Sequence, residues 1–192
     1  MNFVLDKLVN HAETNLELSK FEAAKLRFMF ESIFMNVVEF IVIAIFFAFL
    51  GRFTGFLIAV AVLVSVRSFS GGFHLKKFRY CFVLTSAIFV LGVLILPDIS
   101  STGILIEVLL LASVVLTAIL APVSRRNSAH TSKNNLIIKV VSVAIVLAHC
   151  IWILIIRNDP YASIATWMIF IQGVQLVIGR VMLQREKAAI VN

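Results

Sequence analysis

A histidine and a cysteine lie seven residues apart in a short polar segment of an otherwise apolar chain. They are His74 and Cys81, in a sequence of 192 residues with four histidines and two cysteines. A cysteine acts as a nucleophile when a base or a positive field holds it as thiolate. His74 is the candidate base, and the positive field would come from Arg67, Lys76, Lys77 and Arg79. The pattern indicates thiol chemistry, although a solvated turn followed by a small apolar residue fits it too.

The spacing of the pair demands a bend in the chain. On one continuous helix, residues seven apart share a face but stand about 10.5 Å apart along the axis. A hydrogen bond between thiol and imidazole needs about 3 Å. The chain must therefore bend between Gly72 and Cys81, and Gly71-Gly72 is the most permissive backbone nearby. Backbone N–H groups near these glycines are candidates for stabilising an oxyanion.

The composition is that of an integral membrane protein built as one unit over residues 1–192. Apolar residues make up 61% and charged residues 14%, against about half and about a quarter in soluble domains. The net charge of +7 fits the basic loops of membrane proteins. No basic surface interleaved with aromatics indicates nucleic-acid binding.

The apolar segments predict an all-α polytopic bundle. A spanning helix needs about 20 apolar residues. The segment 53–66 is only about 21 Å long, so it spans only if the flanking Arg52 and Arg67 reach the headgroups. We therefore expect about six spans, or four spans plus re-entrant segments. The six candidates are 33–50, 53–66, 80–97, 103–121, 136–156 and 161–179.

The flanking segments fix the expected boundaries and orientation. The pattern of residues 1–32 predicts amphipathic helices that lie at the membrane interface or pack on the protein's own cytoplasmic face. The second of these helices should begin near Lys20, because Ser19 and Glu22 have the spacing of a capping box. The bundle would occupy 33–179, and 180–192 would be a cytoplasmic tail. In the six-span arrangement, 15 basic residues fall on one side and 2 on the other. Both termini and the 67–79 segment are then cytoplasmic, where a thiol stays reduced.

Three blocks of residues carry a resemblance that covers nearly the whole chain. The first is the segment RSFSGGFHLKKFRYC, with Arg67, Gly71, Gly72, His74 and Cys81. The second is an Ala-Pro step with a basic loop, at Ala121, Pro122, Arg125 and Arg126. The third precedes and enters the first span, at Arg27, Glu31 and Asn36. In these blocks the chain resembles the accessory gene regulator protein B family. It departs at Asn127-Ser128, where the family often has Lys-Pro.

The resemblance implies a membrane cysteine endopeptidase of the cell membrane, active at its cytoplasmic face. His74 would deprotonate Cys81, which would cleave a quorum-sensing propeptide near the C-terminal side of its signal region. The resulting acyl-thioester would then be displaced by a cysteine or serine of the substrate, giving a thiolactone or lactone. Glu31 would orient His74, unless it only pairs with Arg27.

The resemblance also implies partners and supporting residues. The partners are a propeptide with an amphipathic N-terminal helix and membrane lipids, and a homodimer is expected; no metal or cofactor is required. The residues expected to bind substrate or support the site are Arg67, Gly71, Gly72, Asn36, Lys76, Lys77 and Arg79.

Other polar residues inside the predicted spans define an alternative. A small peptide transporter or exporter component would use Glu39, Glu107 and Gln172. Placing a polar group inside the membrane costs free energy, so such groups are candidates for a function. We expect instead that Glu107 is hydrated near the outer interface and that Gln172 and Gln175 join helices. The adjacent side chains of His149 and Cys150 would point in different directions from one helix. A packing role is therefore a simpler interpretation than a second catalytic pair.

Overall fold

A computed structural model describes residues 20–72, 78–99, 103–123 and 132–191. The elements found there are helices, together with one isolated parallel bridge, and they contain no β-strand. The predicted all-α architecture is confirmed. The first amphipathic segment, residues 1–19, lies outside the described residues, as do His74, Lys76 and Lys77.

The first helix, α1, belongs to a separate compact unit that comprises residues 1–51. It runs without interruption over Lys20–Phe49; the start predicted from the capping pair stays a prediction, because Ser19 lies outside the described residues. Glu22 lies in its first turn, where an acidic side chain complements the helix dipole. Its apolar part is Ile33–Phe49, about 26 Å long at the usual rise per residue.

The second unit, residues 52–192, contains the remaining helices. They are α2 Phe53–Ser70, α3 Phe78–Val90, α4 Leu96–Ile99, α5 Gly103–Leu120, α6 Ser132–Ile155 and α7 Pro160–Val191. A π-helical turn, Leu91–Ile95, joins α3 to α4. Within the part of the chain that the structure describes, five helices are long and apolar enough to cross a membrane. The chain is therefore a multi-pass membrane protein, and the shorter apolar stretch of α1 corresponds to the other predicted span.

The doubtful second span is one continuous helix that extends beyond its predicted end. α2 has 18 residues and is about 27 Å long. It continues past Arg67 to Ser70 because Arg67 finds a hydrogen-bond partner on α7. The re-entrant alternative therefore has no support in the shape of α2.

The last helix, α7, forms the centre of this unit. It packs against α2, α5 and α6 and against the π-helical turn. Its buried side chains recur every three or four residues, as at Ala165, Met168, Gln172 and Leu176. Large apolar side chains such as Leu111 on α5 are exposed, which suits a surface that faces lipid rather than water. The segment 180–191, predicted as a tail, continues α7 as helix.

Candidate functional site

The end of α2 turns sharply at the paired glycines. The helix stops at Ser70, and Gly71 has φ 78° and ψ −159°, while its N–H donates to the carbonyl oxygen of Arg67 at 3.0 Å. This backbone region is accessible essentially only to glycine. The expected break in the helix at Gly71-Gly72 is thus confirmed. We refer to Ser70, Gly71 and Gly72 as the Gly71 turn.

The chain just after α5 contacts the Gly71 turn directly. Gly71 and Val123 form a parallel bridge, and the N–H of Val123 donates to the carbonyl oxygen of Ser70 at 3.0 Å. A Cβ atom on Gly71 would lie 2.1 Å from the carbonyl oxygen of Val123. Val123 follows the cis Ala121-Pro122 bond and is buried with Ala121 and Leu176. The Ala-Pro step and the glycine pair, noted separately in the sequence, therefore form one structure.

A buried amide on α7 binds the other side of the Gly71 turn. The Nε2 atom of Gln172 donates to the carbonyl oxygen of Gly71 at 2.8 Å and to the Oγ atom of Ser70 at 3.1 Å. Because a carbonyl oxygen only accepts, this partner fixes which end of the amide is NH₂. Gln172 is only 1% exposed. The expected role of the glutamines in joining helices is confirmed.

Arg67 lies beside the same turn and binds the second glutamine. Its guanidinium donates to the Oε1 atom of Gln175 at 3.1 Å. A Cβ atom on Gly72 would lie 3.3 Å from the Nε atom of Arg67, so this side chain lies against Gly72. Among the described residues, the Oε1 atom of Gln172 and the Nε2 atom of Gln175 have no hydrogen-bond partner.

The predicted nucleophile lies at the beginning of the next helix. Cys81 is in the first turn of α3, is partly exposed and forms no disulfide. His74, Lys76 and Lys77 lie outside the described residues, and only the backbone of Arg79 is described. The pairing of His74 with Cys81 therefore stays a prediction. Glu31 and Asn36 are exposed residues of α1, and their expected roles stay predictions as well.

The second histidine–cysteine pair serves packing. The Nε2 atom of His149 lies 2.7 Å from the Oγ atom of Ser65, which joins α6 to α2. The imidazole meets the ring of Trp152 edge to face. Cys150 is 8% exposed and lies among apolar neighbours. The sequence offered no signal that Ser65 would be the partner of this imidazole.

The carboxylate of Glu107 forms an ion pair. Its Oε1 atom lies 3.5 Å from a guanidinium nitrogen of Arg157, and both side chains are about half exposed, at 54% and 53%. Such an exposed pair stabilises little, and the expected hydration of Glu107 near the outer interface stays a prediction. It carries no sign of a buried ion-coordinating role.

The fold and the glycine turn define a class: a multi-pass helical membrane protein with a fixed backbone turn before a partly exposed cysteine. The family model described as Accessory gene regulator B matches residues 4–176, and the chain belongs to that family. Its membership places the chain in the processing of accessory gene regulator quorum-sensing peptides.

A curated relative agrees with this assignment. A protein of Clostridium beijerinckii that is named only as AgrB-like is 26% identical over 171 residues, which are 86% of this chain and 82% of the relative. No solved structure matches the chain.

Proposed function

We propose that the chain is a membrane cysteine endopeptidase, with Cys81 as nucleophile and His74 as general base, that converts a signal propeptide into a cyclic peptide. The observation that carries the proposal is the end of α2 at the Gly71 turn. The helix stops at Ser70, four residues before His74 in the sequence, and the partly exposed Cys81 lies on the next described helix, α3. A thiol and an imidazole at this spacing can react together only if the helix is broken between them.

The burial around the turn supports the same chemistry. Ser70 and Gln172 are 0% and 1% exposed, and Val123 covers Gly71 from the other side. The segment that carries His74 therefore starts from a fixed, water-poor position. Low exposure to water favours thiol catalysis through an acyl-enzyme, because water must be kept from the thioester until the substrate's own nucleophile attacks it.

The proposed reaction has two balanced steps. In the first, His74 takes the thiol proton of Cys81, the sulfur attacks a peptide carbonyl, and the proton passes to the departing amine of the C-terminal fragment. In the second, a thiol or hydroxyl within the retained fragment loses its proton to His74 and attacks the thioester. Cys81 leaves as thiolate and the ring closes as a thiolactone or lactone.

The transporter alternative receives less support from the described residues. Of its working groups, Glu107 forms an exposed ion pair and the NH₂ of Gln172 is engaged by the Gly71 turn. Side chains that are engaged in such contacts stabilise the fold rather than line a transport pathway for a peptide.

The test uses the full chain with its candidate propeptide, a short peptide with an amphipathic start, a central Cys or Ser and an acidic tail. Both are reconstituted in liposomes, and the products are followed by mass spectrometry. Wild type should cleave the propeptide; Cys81→Ala should abolish cleavage, and Cys81→Ser should leave only background. A propeptide whose ring-forming residue is alanine should accumulate as a hydroxylamine-sensitive adduct on Cys81.

Cys150→Ala is the matched control, because it removes the other thiol from a buried position on α6. It should retain cleavage. If the Cys81→Ala protein cleaves at the wild-type rate, the proposal is wrong. Cleavage that survives intact in His74→Ala would retain the nucleophile but overturn the assigned base.

We further propose that the site opens to the cytoplasm. In the Cys150→Ala background, Cys81 is the single thiol. A membrane-impermeant maleimide should then label inside-out vesicles and spare right-side-out spheroplasts. The opposite pattern would reverse the orientation.

A further inference from the structure

The Gly71 turn is bound directly from α7 by the side chain of Gln172. Both of its bonds to the turn come from Nε2, to the Gly71 carbonyl oxygen at 2.8 Å and to the Ser70 hydroxyl at 3.1 Å. Its own amide oxygen has no partner in the described part of the chain. The hold of Gln172 on the turn therefore depends on its two N–H donors.

The residues that Gln172 binds lead directly to the assigned base. Gly71 is three residues before His74 in sequence, and α2 has already ended at Ser70. The orientation of the Gly71 peptide group sets the direction in which the chain leaves α2. A rotation of that group would displace every atom that follows.

We propose that Gln172 is a positioning residue for the peptidase reaction: by fixing the Gly71 carbonyl it sets the location of His74 relative to Cys81. The inference rests on the proposed function. It concerns a residue of the last long helix, far in sequence from the His/Cys segment, that binds the backbone at Gly71.

The contacts dictate the substitution to use. Gln172→Met keeps a similar volume and an unbranched chain but removes both donors, so the partly buried carbonyl of Gly71 loses its partner on α7 and keeps the longer bond, 3.4 Å, from the Ser70 hydroxyl. Ser70 keeps its bond to the carbonyl oxygen of Val66 at 2.8 Å, so the end of α2 retains a local bond. We therefore expect the turn to shift while the helices stay packed.

The same helix offers a matched control. Thr166 is fully buried on α7, and its hydroxyl donates to the carbonyl oxygen of Ala162 at 2.8 Å. Thr166→Val removes a buried hydrogen bond from α7 without touching the Gly71 turn. Any general weakening of α7 should appear in both variants, whereas loss of positioning should appear only in Gln172→Met.

The first measurement separates kcat from KM for propeptide cleavage in liposomes. A misplacement of about 1 Å costs about 100-fold in rate, so Gln172→Met should lower kcat about 100-fold with KM little changed. Thr166→Val should stay close to wild type. In a double-mutant cycle, adding Gln172→Met to His74→Ala should cost far less than in wild type, because the base that it positions is already gone. Equal, multiplicative losses in the two backgrounds would overturn the inference.

The second measurement needs no substrate. In the Cys150→Ala background, the rate of Cys81 alkylation by iodoacetamide is followed against pH. His74→Ala should slow alkylation near neutrality and move its rise to higher pH, and Gln172→Met should do the same. If His74→Ala changes neither alkylation nor cleavage, the assignment of His74 as the base in the proposed function fails. If His74→Ala changes both and Gln172→Met changes neither, only the positioning role of Gln172 is refuted.

Discussion

The most exacting test of this architecture is the substitution Gly71→Ala. It adds one methyl group at a backbone position with φ 78° and ψ −159°. The new Cβ would lie 2.1 Å from the carbonyl oxygen and 3.0 Å from the carbonyl carbon of Val123. These neighbours are backbone atoms, so no change of rotamer can relieve the overlap.

The cost has two separable parts. Placing a non-glycine residue in this region costs about 1–3 kcal/mol. Forcing the backbone of Val123 away costs about 1–3 kcal/mol more, and it threatens the bond from the Val123 N–H to the carbonyl oxygen of Ser70. We therefore expect Gly71→Ala to lower the free energy of unfolding by about 2–6 kcal/mol.

Gly51→Ala provides the control for backbone strain alone. Gly51 also has a positive φ, 67°, but a Cβ there would meet nothing within 4 Å. Its cost should be about 1–2 kcal/mol. Both substitutions restrict the unfolded chain to the same extent, so the difference between them reports the contact with Val123 together with any extra strain of the Gly71 backbone conformation.

Stability can be measured in detergent by the temperature at which a thiol-reactive fluorophore labels buried Cys150, with Cys81→Ala present so that only one thiol remains. Cleavage is measured separately with Cys81 intact. Gly71→Ala should label at a distinctly lower temperature than Gly51→Ala and should lose cleavage. Equal labelling temperatures for the two variants, with cleavage intact in Gly71→Ala, would refute the contact and the argument built on it.

Three further substitutions test other contacts. Arg67→Met removes the donor to the buried Gln175 oxygen and should lower the free energy of unfolding by about 1–3 kcal/mol, measured by the same labelling assay; full stability would show that the bond is dispensable. Ser65→Ala removes the partner of His149 and should cost about 0.5–1.5 kcal/mol while cleavage persists; lost cleavage would instead give this pair a catalytic role. Glu107→Gln breaks an exposed ion pair and should change stability by less than about 1 kcal/mol without affecting cleavage, whereas loss of peptide processing would favour the transporter alternative.

The sequence was sufficient to predict features that depend on local preference. Apolar length predicted the spanning helices, and the conformational freedom of Gly71-Gly72 predicted the end of α2. Each of these depends on a few adjacent residues or on composition.

Features that depend on distant contacts could not be predicted in this way. Arg67 looked like the end of a short span, but α2 continues beyond it because Gln175 supplies an acceptor. The glutamines were identified as groups that join helices, yet nothing in their spacing indicates that Gln172 binds the Gly71 turn. The approach of Val123 to Gly71 likewise joins residues far apart in the chain, and only packing selects such partners.

The bridge between Gly71 and Val123 also constrains how the protein can be altered. It forces the segment before His74 and the basic segment after Ala121-Pro122 to leave the helical bundle from one place, and so on one side of the membrane. A chimera that takes the first segment from a relative and keeps the second would place segments of two different proteins side by side at this bridge, and exchanging both at once is the route to a working hybrid.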